Sequence, residues 1–240
     1  LEAHSPTTLR LRPFLAFRNV NELTQENNTI NNTYQEVENG ISCCLYEPYP
    51  HLVMQTNKQG VFVPQPDWYR GIEYYKEQER GYDFREDLYV PGYFELSIKK
   101  GETIIFSAGT EPIGVRKLKA LFEEEKEKRT GRADFFSCLK NAAQQFYNKK
   151  EDGYYLLAGY PWFKYRARDE FIALPGTTLA IGDVAMFENM MKIGVVAVRD
   201  YIDGKPKSTQ LKEVSSPDVL LWFIWNIQQY AQTTSLQQAE

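Results

Sequence analysis

Hydrophobic positions follow strand spacing through roughly the first hundred residues and then switch to helical spacing. Residues 41–46 and 51–56 are short apolar runs broken by Pro48 and Pro50, and Asn57-Lys58-Gln59-Gly60 reads as a turn into Val61-Phe62-Val63. Along residues 93–98, Phe94, Leu96 and Ile98 fall two apart, on one face of a strand. Lys99-Lys100-Gly101 then predicts a half-buried hairpin with residues 103–106. The polar, aromatic stretches around Trp68-Tyr69, Tyr74-Tyr75 and Arg85-Glu86-Asp87 are predicted to connect strands, and the whole reads as an antiparallel sandwich.

The pattern changes at residues 109–114. Val115, Leu118, Leu121 and Phe122 recur at helical spacing, while Lys119/Glu123, Glu124/Lys128 and Glu125/Arg129 are (i, i+4) pairs that make residues 123–129 a solvated face. A second helix carries Phe135, Phe136, Leu139, Ala142, Ala143, Phe146 and Tyr147 as its apolar stripe. A third starts near Asp169 and stops at Ile181-Gly182. A fourth is capped by Asp183 and runs through Val198. The last, with Asp218 as its cap, extends through Tyr230 and is apolar almost all round, which predicts burial on several sides. The chain is therefore β first and α second, with residues 1–110 forming an all-β unit and residues 111–240 a helical one.

Composition narrows the chemistry. A net charge of −4 disfavours a nucleic-acid surface, and no apolar run reaches the ~20 residues that span a bilayer. Three cysteines and two histidines make neither a disulfide framework nor a metal site, so the cytoplasm is the simplest location and no metal is implied. Aromatic residues are 14% of the chain, a content that suits both glycan stacking and a β core. Phosphate-loop, Gly-x-Ser-x-Gly, His-Glu-x-x-His and Cys-x-x-Cys motifs are absent.

The densest stretch of candidate chemistry is residues 158–176. Arg168-Asp169 has three readings: a helix cap beside a surface arginine, a cation–carboxylate pair that binds sugar hydroxyls, or a catalytic carboxylate. Glycoside hydrolysis generally needs two carboxylates flanking the bond, and Glu170, next along a helix, points elsewhere than Asp169. Trp162 and Phe163, after Pro161, are either a stacking platform or a buried seal. Asp218 is a helix cap or a ligand residue, Trp222 and Trp225 are core or platform, and Arg85-Glu86-Asp87 is a salt-bridged loop or a catalytic cluster.

The motifs Gly159-Tyr-Pro-Trp-Phe163, Arg168-Asp169, Phe171-Ile172 and Leu174-Pro-Gly176 resemble the start of the helical catalytic domain in glycogen debranching enzymes of the bacterial and archaeal amylo-α-1,6-glucosidase type. Leu9-Arg-Leu-Arg-Pro-Phe14, Phe17-Arg18, Asp67-Trp-Tyr-Arg70, residues 77–81, Arg85-Glu-Asp-Leu88 and Pro91-Gly92 resemble the later part of that family's N-terminal β-sandwich. Asp218 through Phe223 and Gln228-Gln-Tyr230 resemble a later helix of the family. The resemblance implies an incomplete β-sandwich followed by the first helices of an (α/α)6 barrel. It also implies hydrolysis of α-1,6-linked glucose from glycogen limit dextrin by an inverting pair of carboxylates, with no cofactor. Arg168 and Asp169 would hold the terminal glucose, and Trp162 and Asp218 would line the same substrate site. The general acid and base are expected beyond Glu240, so these residues read as a fragment that leaves apolar surface exposed. A glucoamylase-like α-1,4-glucosidase and a non-catalytic α-glucan-binding chain are the alternatives. Ala167, Glu170 and Lys164-Tyr165-Arg166 differ from the smaller residues that the family places there.

Overall fold

The alternation in the first half of the sequence resolves into two antiparallel sheets. In the computed structural model, which describes residues 5–160 and 163–234, the chain divides into two compact units, Leu1–Lys128 and Arg129–Glu240.

The first unit contains β1 (Thr7–Leu11), β2 (Tyr34–Val37), β3 (Gly40–Cys43), β4 (Leu52–Thr56), β5 (Val61–Glu73), the short helix α1 (Tyr75–Glu79), β6 (Arg85–Ile98) and β7 (Phe106–Gly109). One sheet has the order β1-β6-β5 and the other β2-β3-β4-β7. Thr7 lies opposite Ile98, Val61 opposite Glu95 and Met54 opposite Ala108. Ile41, Cys43 and Met54 from one sheet and Tyr89 and Phe94 from the other share a core with Leu15 and Leu45.

The hairpin predicted between residues 93–98 and 103–106 does not form: β6 and β7 lie in different sheets. Two side chains redirect the crossing. Glu102 folds back to accept from the Lys99 N–H at 2.9 Å and from the Lys58 ammonium at 2.7 Å. The Asn57 side-chain oxygen accepts from the Ile105 N–H at 2.7 Å, delivering the chain to the edge of β4. The stretches predicted as connections around Trp68 and Arg85 are strand as well. Pro64, Pro66 and Gly71 obscure β5, but it is an edge strand, where a missing ladder donor is tolerated, and it has irregularities at 64–67 and 69–72. Arg85 pairs with Glu73 at 2.9 Å across that ladder, so the charges are bridged, but in a strand and not a loop. Helix α2 (Leu118–Lys128) follows a 3-10 turn; of its predicted apolar face only Leu118 is buried, while Leu121 and Phe122 are exposed.

The second unit contains α3 (Phe135–Gln144), a hairpin of β8 (Tyr147–Lys150) and β9 (Gly153–Leu156), then α4 (Ala167–Thr177), α5 (Val184–Ile202) and α6 (Val219–Thr233). The hairpin takes Phe146 and Tyr147 out of the stripe assigned to the second helix, and Phe135, Phe136 and Leu139 are exposed. Gly182, at φ +79°, ends the turn after α4, and the Asp183 carboxylate caps α5 by accepting from the Met186 N–H at 3.1 Å. Tyr155, Phe171, Leu174, Phe187, Met190 and Leu211 centre this core. Helix α6 is not enclosed on several sides. Val219 and Asn226 are its buried residues, whereas Leu221 and Ile224 are 68% and 61% exposed, because α4 covers one face of it. The architecture is thus antiparallel sheets followed by helices.

Candidate functional site

The first turn of α4 is anchored by backbone before any side chain acts. Arg166 forms a parallel bridge with Lys212. The Ala167 N–H donates to the Lys212 carbonyl at 2.9 Å, and the Lys212 N–H to the Tyr165 carbonyl at 2.9 Å. Ala167 has no exposed surface, which accounts for a small residue there. This clamp sets the turn from which Arg168 reaches the start of α6.

Arg168 Nε donates to Asp218 Oδ2 at 2.8 Å, and Trp222 Nε1, one turn into α6, donates to the same oxygen at 3.1 Å. The Arg168 guanidinium and then the Trp222 indole N–H hold the Asp218 carboxyl below its ordinary range. Asp218 occupies the cap position of α6 but makes no side-chain cap bond: its backbone is already helical, at φ −95° and ψ −7°, and its carboxylate turns to Arg168. Among the described residues only the Nε of Arg168 is engaged, so its terminal N–H groups are available.

Asp169 is half-buried and makes no hydrogen bond or ion pair among the described residues. Trp162 lies outside the described residues. Phe163 is exposed, with the Arg166 guanidinium 4.8 Å from its ring centre. Trp222 is half-buried and meets Trp225 edge to face at 5.4 Å. Guanidinium donors, the Asp218 carboxylate and an indole meet at one helix junction, with Asp169 next to Arg168 in sequence, and such groups are suited to a polyhydroxylated ligand.

Sequence reasoning passed over Glu170 as a functional group. It is fully buried beneath this turn. One carboxyl oxygen accepts from the Leu156 N–H on β9 at 3.0 Å, while the other has no partner among the described residues. Burial raises its pKa to about 8, against the smaller opposing pull of the Leu156 N–H. The signal was present in the sequence: Glu170 is four residues before Leu174 and next to Phe171, on the stripe that enters the core.

Two family models match the chain: glycogen debranching enzyme N terminal over residues 1–105, and amylo-alpha-1,6-glucosidase over residues 141–239. No curated protein and no solved structure matches it significantly. The first match takes in β1 to β6, all the strands of the two sheets except β7, and the second takes in the clamp, Arg168 and Asp218. With these two segments in this order across most of its length, the chain is of the glycogen debranching enzyme type, related to the glycosidases that act on glycogen.

Proposed function

We propose that this chain carries the part of an α-glucan site that grips the terminal glucose, in a cytoplasmic enzyme that hydrolyses α-1,6-linked glucose stubs from glycogen limit dextrin. The observation that carries this reading is the Arg168–Asp218–Trp222 constellation within the segment matched by the amylo-alpha-1,6-glucosidase model. Free Arg168 donors and the unpartnered Asp169 carboxylate would take hydroxyls of the terminal sugar, while Asp218 and Trp162 would wall the pocket. Residues 1–110 would be the later part of a β-sandwich and residues 111–240 the first helices of an (α/α)6 barrel. The exposed apolar residues Leu221 and Ile224 of α6 fit a helix that later barrel helices would cover. Chemistry would proceed with inversion, through an acid and a base roughly 6.5–9.5 Å apart.

Binding tests this part of the reading directly. Calorimetry with an α-1,6-branched oligosaccharide and with a linear α-1,4 one should show that the chain prefers the branched ligand, and that Asp169→Asn and Arg168→Ala each weaken binding about tenfold or more without loss of helical signal. Equal loss for both ligands would favour an α-1,4-glucosidase. Undiminished binding in both variants would remove the site from this junction.

A further inference from the structure

We propose that the cleft between residues 164–165 and 207–215 of the second unit is a binding site for a sugar phosphate. It has a volume of about 620 Å³, within the range of small-molecule sites. Its lining includes three lysines, Lys164, Lys207 and Lys212, over a floor made by Tyr165 and Leu211, both nearly inaccessible to solvent. Other charges there are committed: Glu213, which also lines the cleft, to Arg166 at 3.4 Å, and neighbouring Lys205 to Asp203 at 2.7 Å. Lys164, Lys207 and Lys212 have no ion pair or hydrogen bond through their ammonium groups among the described residues. In a chain of net charge −4, three uncommitted ammonium groups around one concavity are a local reversal of sign, and they focus the field on an anion.

The lining distinguishes among anions. Lysine recognises phosphate as a point charge, whereas a planar carboxylate is best met by an arginine fork, and the nearby Arg166 is already engaged. A nucleotide would need an aromatic face for its base. Tyr165 has the Tyr155 ring 4.6 Å away and the Lys150 ammonium 6.0 Å from its centre, so its faces are taken. Thr209, Gln210 and Ser215 line the remaining wall with hydroxyl and amide groups that suit sugar hydroxyls. Arg168 and Asp218 do not line this cleft.

Titration of the 240-residue chain with glucose 6-phosphate, inorganic phosphate and adenosine monophosphate separates the outcomes. The proposal expects glucose 6-phosphate to bind most tightly. Lys207→Ala and Lys212→Ala should each weaken it about tenfold, in an Arg168→Ala background as in the parent, and added salt should lower it. A folded Lys207→Ala/Lys212→Ala double variant that binds glucose 6-phosphate as the parent does would overturn the proposal. So would equal or tighter binding of either inorganic phosphate or the nucleotide. Because glucan binding is read through Arg168→Ala and sugar-phosphate binding through the lysines, either reading can fail while the other stands.

Discussion

Asp218 Oδ2 accepts Arg168 Nε at 2.8 Å across fifty residues of chain, tying the first turn of α4 to the start of α6. The two side chains remain partly exposed, 53% for Arg168 and 37% for Asp218, so solvent screens the pair and its contribution to stability is small. Its consequence is for ligand geometry: one N–H of the guanidinium is held, and the plane of the others is thereby set.

Asp218→Asn should therefore lower glucan affinity more than it lowers stability. The expected result is a binding constant reduced about tenfold with a urea midpoint within error of the parent. A midpoint shift with unaltered binding would make the pair structural.

Glu170 predicts an unusual pH dependence. Its folded pKa is raised from about 4.5 to about 8, so between those values the native state holds a proton that the unfolded state does not. Its contribution is fully present below about pH 4.5 and is lost as pH rises towards 8. Glu170→Gln, which keeps an acceptor for Leu156, should flatten that profile and add about 1–3 kcal/mol at pH 8. Parallel urea denaturation curves for parent and variant at pH 5 and pH 8 would contradict this account.

Glu86 predicts the opposite sign in the other unit. Burial pushes its pKa up, but Arg18, Tyr74 and the Thr24 N–H together outweigh burial and hold it low. Arg18 grips both oxygens, the second at 3.0 Å, and the Tyr74 hydroxyl donates at 2.5 Å. This contribution is present above the ordinary carboxylate range and lost as pH falls through the lowered value. Glu86→Gln should cost about 3 kcal/mol, since it leaves the Arg18 guanidinium without its counter-charge. Amide exchange resolved by unit would show acid loosening residues 5–128 through this group and not through Glu170.

Gly40 tests the sheet that carries β3. A Cβ at this position would lie 1.9 Å from the Met54 carbonyl oxygen, and backbone cannot rotate away as a side chain can. Gly40→Ala should destabilise by about 2 kcal/mol or more, read as a lowered midpoint with an unchanged denaturant slope.

Local signals carried a good deal of this protein. The alternation in residues 93–98, the cap at Asp183, the stop at Gly182 and the polar face of α2 were legible because each depends on a few neighbouring residues and a fixed helical or strand period. Linear motifs also carried the family likeness that the two family models match. Other features had no local signal. β6 and β7 look like a hairpin in sequence and part into different sheets because Asn57 and Glu102 steer the crossing. The α6 helix is apolar all round, yet α4 covers one face of it, and its exposed face appears only once the packing is known. Asp218 has the identity of a cap and the geometry of a partner for Arg168. A residue type and its spacing set what a side chain can do locally; which partner it meets fifty residues away is decided by how the helices pack.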